Sequence, residues 1–256
     1  MLTLTEHARQ QAEIAGGEML LPSHLLYTPE LRLHVFDAAA APHATKQDEV
    51  RRWLNMLAAA IGLIVLAPVM FLVALLVKLT SAGPILYTQT RVGIDRRHPG
   101  SGGNWRRQVD YGGQLFKMYK FRTMYVGSDR DAEVWACPED PRVTPVGRFL
   151  RRSRLDELPQ LWNVLRGDMN IVGPRPEQPR IFAHLRGELQ GYARRQRVLP
   201  GITGLAQVEW RYDQCIDDVR RKLNYDLRYL ESRSALEDVR IMLRTVPVVM
   251  FGQGAW

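Results

Sequence analysis

Only two of the 256 residues are cysteine, Cys137 and Cys215, and they lie far apart. No C-x-x-C pair or Cys/His ligand spacing occurs, which argues against a structural zinc site. Two lone thiols suit a reducing compartment. Four of the six histidines fall in the first 43 residues (His7, His24, His34, His43), again without metal spacing, and read as incidental. The phosphate-cradling G-x-x-x-x-G-K-[ST], the dinucleotide G-x-G-x-x-G and the hydrolase G-x-S-x-G are all missing. P-loop, Rossmann and nucleophile-elbow chemistry therefore have no motif support. There is no internal repeat. Residues 1–50 hold no basic n-region followed by an apolar h-region, so no secretory signal is predicted there. Short patches such as Met19-Leu20-Leu21 and the Ala38–Ala41 run before Pro42 give residues 1–50 the look of an extension with a linker, to which no function attaches.

What is present begins with composition. Charged residues are 24% and hydrophobic ones 46%, which excludes a disordered chain. The length allows one good core plus an accessory piece. The formal charge is +8, and nearly all of it is local. Residues 84–155 hold 14 Lys/Arg against 7 Asp/Glu, a surplus of +7. A basic surface beside a hydrophobic segment fits anionic headgroups or phosphate substrates, with nucleic acid as the competing partner.

That hydrophobic segment is residues 54–77, which carry 24 positions without a charge. As a straight helix it would be ~36 Å long, enough to span a bilayer. Pro68 sits near its middle and favours a kink or break. Arg51 and Arg52 precede it, and Lys78 and Arg91 follow, so the positive-inside rule favours both ends on the cytoplasmic side. A re-entrant helix–break–helix at residues 51–80, dipping into one leaflet, satisfies both features; plain spanning stays open.

Residues 84–92 and 114–124 read as two strands, rich in aromatic and β-branched side chains. Lys120 and Arg122 alternate onto one face of the second and are expected to line a phosphate site. Residues 93–113 join the strands with six Gly, one Pro and four Arg, a long basic loop fit for a lid or a headgroup contact. A short helix is expected at 128–137 and a Pro-punctuated loop at 138–147. Residues 178–197 read as one helix ending in Arg194, Arg195 and Arg197. A tight glycine turn follows at 200–204, then a charged helix at 213–231. Ser234 with Glu237 forms a capping box for a last helix, whose Leu236, Val239, Leu243 and Val246 share a face. The apolar tail after Pro247 suits a membrane surface.

The chemistry concentrates in residues 151–177. Asp156 and Glu157 stand side by side after Arg151, Arg152, Ser153 and Arg154. Gly173-Pro174-Arg175-Pro176-Glu177 closes the stretch, with proline stiffening the backbone around one Arg and one Glu. Carboxylates hold divalent metals or act as nucleophile or base. Arginine presents a planar fork suited to phosphate. Leu158, Leu161, Trp162 and Leu165 supply a short apolar helix face between them. Two registers remain open. Ser153 could cap a helix containing Asp156, which would put Pro159 in its second turn. Alternatively Pro159 could open the helix, leaving both acids in the approach.

Several ordered motifs then carry a resemblance. These are the apolar segment with Pro68; Lys120-Phe121-Arg122-Thr123-Met124; Asp156-Glu157-Leu158-Pro159-Gln160-Leu161; Asn163-Val164-Leu165-Arg166-Gly167-Asp168-Met169; Gly173-Pro174-Arg175-Pro176-Glu177; and Pro200-Gly201-Ile202-Thr203-Gly204. Together, over residues 51–256, the chain resembles the bacterial sugar transferases, the monotopic polyprenyl-phosphate phosphoglycosyl transferases. The resemblance implies an α+β, mainly helical fold. It would comprise a re-entrant membrane helix and a compact cytosolic domain, residues 81–256, with a small β-hairpin and amphipathic interfacial helices. It places the protein at the bacterial inner membrane, active site on the cytoplasmic face. It implies a UDP-sugar donor, undecaprenyl phosphate as acceptor, contact with membrane lipids and no nucleic acid, with homo-oligomerisation left open. Asp156 maps to the nucleophile and Glu157 to its metal-associated or proton-handling neighbour. Both would carry Mg²⁺. Lys120, Arg122, Arg151, Arg175, Pro176 and Glu177 map to substrate binding. Ala67 replaces the serine that often precedes the membrane proline, so the bend rests on Pro68 alone. The readings set against this one are a membrane-anchored polyanion-binding protein and a Mg²⁺-dependent phosphohydrolase.

Overall fold

The computed structural model describes residues 46–96, 113–127, 140–210 and 216–250, with side chains to residue 248. The expectations for residues 1–45, most of the 93–113 loop, the 128–137 helix and the end of the tail lie outside these residues.

Helix α1, Lys46–Thr80, takes in the whole apolar stretch and begins within the residues set aside as an extension. Asp48 and Glu49 in its first turn and Lys78 in its last suit the helix dipole. It continues through Pro68, which is a correction: the expected helix–break–helix is one helix of 35 residues, ~52 Å long. Proline removes a single donor, and the apolar turns on either side carry the helix past it.

Both halves of α1 are fastened to one folded body. At the N-terminal end Arg51 is buried, with its Nε and Nη2 on the Asp238 carboxylate at 3.1 and 3.0 Å and its Nη2 on Tyr229 Oη at 2.6 Å. Arg52 donates to the carbonyls of Val164 and Met169, and Asn55 Oδ1 accepts from Ile171 N at 2.8 Å. Arg51 and Arg52 are thus internal bolts rather than the headgroup-facing flank that charge counting suggested. Towards the C-terminal end Val73 and Val77 pack with Phe121 and Leu150. The opposite side of α1 presents Trp53, Leu57, Ile61, Ile64, Phe71, Leu72 and Leu79 to the exterior. That is a continuous apolar surface with no partner among the described residues.

Strands β1, Leu86–Val92, and β2, Leu115–Phe121, form the expected antiparallel hairpin, with Tyr87 opposite Lys120. Helix α2, Pro145–Arg152, follows, with Thr144 Oγ1 capping the Gly147 N–H at 2.8 Å. Helix α3 is Gln160–Arg166, ended by Gly167 at φ 88°. Strand β3, Asn170–Val172, pairs in parallel with β4, Gly201–Thr203. The expected turn at 200–204 is therefore a strand, crossing so close to Gly173 that a side chain on Gly201 would strike its backbone.

The single helix expected at 178–197 is two elements: α4, Pro179–Glu188, and a 3₁₀ turn, Tyr192–Arg197. Gly191 separates them at φ 80°, a conformation that ends an α-helix. Helices α5 (Leu205–Glu209), α6 (Ile216–Ser232) and α7 (Ala235–Met250) complete the body. Ser234 Oγ caps the Glu237 N–H at 3.1 Å, as the capping box requires. Leu236, Val239, Leu243 and Val246 lie exposed along α7 rather than in a core.

Candidate active site

Of the two registers left open by the sequence, the structure takes the second. Ser153 ends α2: its N–H and hydroxyl both return to the Phe149 carbonyl, at 3.0 and 2.9 Å. Arg154 then adopts φ 58°, ψ 12°, the one non-glycine residue with positive φ among those described. A left-handed arginine costs roughly 1 kcal/mol and reverses the chain direction sharply. The acids follow in a 3₁₀ turn, Leu155–Glu157, and α3 starts after Pro159. Leu155 and Leu158 pack in the cluster of Val73 and Val77, while Leu161 and Leu165 pack in that of Ala59. The acid turn is thereby pinned to both halves of the apolar helix. Trp162 departs from the expected shared face and is exposed.

Asp156 and Glu157 are 6% and 7% exposed. Glu157 Oε1 receives two charged bonds, from Lys120 Nζ and from an Arg175 Nη, each at 2.8 Å. Burial works against its charge, but Arg175, Lys120 and Arg154 together hold its carboxyl well below the usual range. Asp156 goes the other way. Burial pushes it up to about 6, opposed by Lys120, reinforced by the adjacent Glu157 charge, and drawn back by Arg151 and Arg154. Among the described residues no hydrogen bond ends on the Asp156 carboxylate. The pair therefore divides: one acid clamped and fixed as an anion, the other unclamped, ionised at neutral pH and surrounded by cations.

Lys120, Arg151 and Arg175 lie around the acids, with Arg151 steadied by its Nε on Thr123 Oγ1 at 3.0 Å. Three residues do something else. Arg122 is buried and turns away from Lys120, donating to the carbonyl and hydroxyl of Ser81 at 2.7 and 2.6 Å. β2 stops at Phe121, so the strand alternation that would have aligned the two cations does not continue. Glu177 faces Arg195 at 3.3 Å and Arg91 at 4.0 Å. The Pro176 carbonyl accepts from Arg91 Nη1 at 3.1 Å. Pro176 and Glu177 thus fix the turn that aims Arg175. Arg195, read from the sequence as part of a basic cluster ending a helix, is buried beneath that turn, donating to the Arg175 carbonyl at 3.0 Å and lying in an ion pair with Asp226 at 2.8 Å. A small, open hollow beside it is lined by Val92, Gly93, Arg175, Pro176, Arg195 and Gln196 among others. Among the described cations of the basic stretch, Arg91, Lys120, Arg122, Arg142 and Arg151 each have a partner within the protein, while Arg96, Lys117, Arg148 and Arg152 are exposed.

Among the described residues no group of three or more His, Cys, Asp or Glu is placed to hold a metal. Mg²⁺ bound through one or two carboxylates, substrate diphosphate and water needs no such group. The unclamped Asp156 beside Glu157 fits that mode.

Residues 46–252 match the family described as Bacterial sugar transferase. The chain is 38% identical over 206 residues to a UDP-N-acetylgalactosamine-undecaprenyl-phosphate N-acetylgalactosaminephosphotransferase of Aeromonas hydrophila, covering 80% of this chain and 45% of that protein. It is 39% identical over 212 residues to an undecaprenyl-phosphate glucose phosphotransferase of Komagataeibacter xylinus, covering 80% and 37%. It is 38% identical over 208 residues to a UDP-glucose:undecaprenyl-phosphate glucose-1-phosphate transferase of Caulobacter vibrioides, covering 80% and 72%. The chain thus spans less than half the length of the first two.

Proposed function

Since this chain belongs to the bacterial sugar transferase family, we propose that it transfers a sugar 1-phosphate from a UDP-sugar to undecaprenyl phosphate, releasing UMP, at the cytoplasmic face of the bacterial inner membrane. The observation that carries this reading is the divided acid pair. An Asp156 oxygen attacks the phosphorus that bears the sugar, and the bond from that phosphorus to the bridging oxygen breaks as UMP leaves. An oxygen of undecaprenyl phosphate then attacks the same phosphorus and releases the Asp156 carboxylate, giving the undecaprenyl-diphosphate sugar. Such a product is the starting point for exopolysaccharide or O-antigen-type assembly.

A carboxylate approaching a diphosphate meets like charge, which Lys120, Arg151, Arg154 and Arg175 offset in a site shielded from water. Glu157 keeps Lys120 and Arg175 in place and does not compete as nucleophile, because both its bonds favour the fixed anion. Asp156 and Glu157 would hold Mg²⁺, which when bound supplies further neutralisation of the diphosphate. The run of α1 supports a membrane topology with both of its ends on one side. A water-soluble body attached to both halves of an apolar helix favours both ends on one side, with the exposed face in the lipid, over a crossing that would drag part of that body through the bilayer.

The deciding experiment incubates detergent-purified protein with a panel of UDP-sugars. With undecaprenyl phosphate present, UMP and a lipid-linked product are expected. With acceptor left out, intact-protein mass is expected to rise by one sugar phosphate, and Asp156→Asn abolishes both signals. UMP release without lipid product would point instead to a phosphohydrolase. Topology is read by labelling cysteines placed at residues 46 and 80 with an impermeant reagent; labelling from opposite faces would overturn the same-side arrangement.

A further inference from the structure

Among the described residues no strand pairs with the second edge of β2, and a single side chain takes that place. Asn163, on α3, is fully buried. Its Nδ2 donates to the Lys117 carbonyl at 2.7 Å, and its Oδ1 accepts from the Tyr119 N–H at 3.0 Å. The amide thus reproduces the donor and acceptor of a neighbouring strand residue. The second hydrogen of Nδ2 goes to Asp168 Oδ2 at 3.1 Å, anchoring the amide to the turn after α3. The consequence lies one residue further along β2. Lys120 follows Tyr119 directly in β2, and α3 begins three residues before Asn163, just after the acid turn. One buried amide therefore sets the spacing between the strand that carries Lys120 and the turn that carries Glu157, whose charged atoms meet at 2.8 Å.

We propose that Asn163 is a positioning residue for the transfer reaction: by clamping the open edge of β2 to α3, it holds Lys120 against Glu157 and so keeps the cation where the Asp156 carboxylate and the donor phosphate need it. The proposal depends on the chain being a sugar-phosphate transferase. Asn163 touches neither substrate nor reacting atoms; its effect passes through Lys120.

The test uses the full chain in detergent, with Asn163→Leu, which can serve neither backbone group, and Asn163→Asp, which keeps the size and the acceptor. Three quantities are read: the acylation rate of Lys120 by an amine-reactive reagent, followed by peptide mass; kcat and KM for UMP release; and the melting temperature. Lys120 is expected to label roughly tenfold faster in both variants, and kcat to fall roughly ten- to a hundredfold with a smaller change in KM, the scale of two lost buried hydrogen bonds. Relative to wild type at the same pH, the excess labelling of Asn163→Asp is expected to shrink as pH is lowered, since a protonated carboxyl can again donate to the Lys117 carbonyl. Asn55→Ala serves as the comparison, because Asn55 is another buried amide bonded to a strand, at Ile171. It should lower the melting temperature and leave Lys120 labelling unmoved. Unchanged Lys120 labelling in folded Asn163→Asp, or equal acceleration in Asn55→Ala, would overturn the proposal. If Asn163→Leu does not fold, Asn163→Asp decides alone. A wild-type chain that releases no UMP would defeat the transferase reading, while the labelling comparison would still report whether Asn163 places Lys120.

Discussion

Replacing Asp156 with asparagine should make the protein inactive and more stable at once. The side chain is 6% exposed, and its carboxyl is raised from 3.8 to about 6, chiefly by burial. At about 1.4 kcal/mol for each tenfold change in proton affinity, carrying that charge at pH 8 costs the folded state about 3 kcal/mol. Asparagine keeps the shape, removes the charge and relieves the repulsion from Glu157. Because the two acids titrate together, the expected gain is about 1–3 kcal/mol, or ~3–8 °C in melting temperature for a chain of this size. The dependence on pH has a definite sign. Below pH ~4 both the folded and unfolded wild type hold the proton, so the variant gains nothing from the missing charge. Between ~4 and ~6 the unfolded state ionises first, wild-type stability falls, and the advantage of Asn grows. Above ~6 it is constant. Thermal unfolding in detergent across pH 4–8, alongside UMP release, measures both effects. A variant that melts at or below the wild type at pH 8, or whose difference does not vary with pH, would refute the account of a carboxylate held charged at a structural cost.

Four further outcomes follow. Wild-type transfer should lose activity along an acid limb near pH 6, as Asp156 takes up its proton; a flat profile from pH 5 to 8 would contradict a carboxylate nucleophile at this position. Glu157→Gln should do the opposite of Asp156→Asn in a melt: it leaves Lys120 and Arg175 facing a neutral amide, with an expected loss of about 3–5 kcal/mol. Arg51→Ala strands the buried Asp238 and should cost a similar amount, while the paired Arg51→Met/Asp238→Leu change should recover most of it in the same unfolding assay. Gly191→Ala should cost about 1 kcal/mol because of its positive φ, with little effect on kcat.

Much of the candidate site could be read from the sequence because it depends on residue types packed into a short stretch. Asp156, Glu157, Arg151 and Arg175 were legible as chemistry, and Lys120 through its strand position. The hairpin was legible from its aromatic and β-branched runs, and the last helix from its capping box. What escaped was determined at a distance. Arg51, Arg91 and Arg195 look in sequence like surface cations; only the fold supplies Asp238, the Pro176 carbonyl and Asp226 to meet them. Arg122 was assigned to the site by strand alternation, which fails where the strand ends. Arg154 carries no sequence mark of its left-handed backbone, since arginine has no preference for it. Asn163 stood inside a recognised motif, but its task is to complete an edge whose neighbour is 44 positions away. Pro68 was overweighted: a lone proline in a strongly apolar helix need not interrupt it.

The double attachment of α1 bears on how the enzyme would respond to its lipid. A helix that crosses a bilayer adjusts to thickness by tilting, and whatever it carries tilts with it. Here Arg51 and Asn55 grip near one end and Val73 and Val77 near the other, so the helix and the catalytic turn form one rigid raft. With α1 lying in the lipid as proposed, thicker or thinner membranes would rearrange the acyl chains beneath that raft while the height of Asp156 above them stayed constant. In vesicles of graded chain length, turnover should track the supply of acceptor and hold steady against bilayer depth.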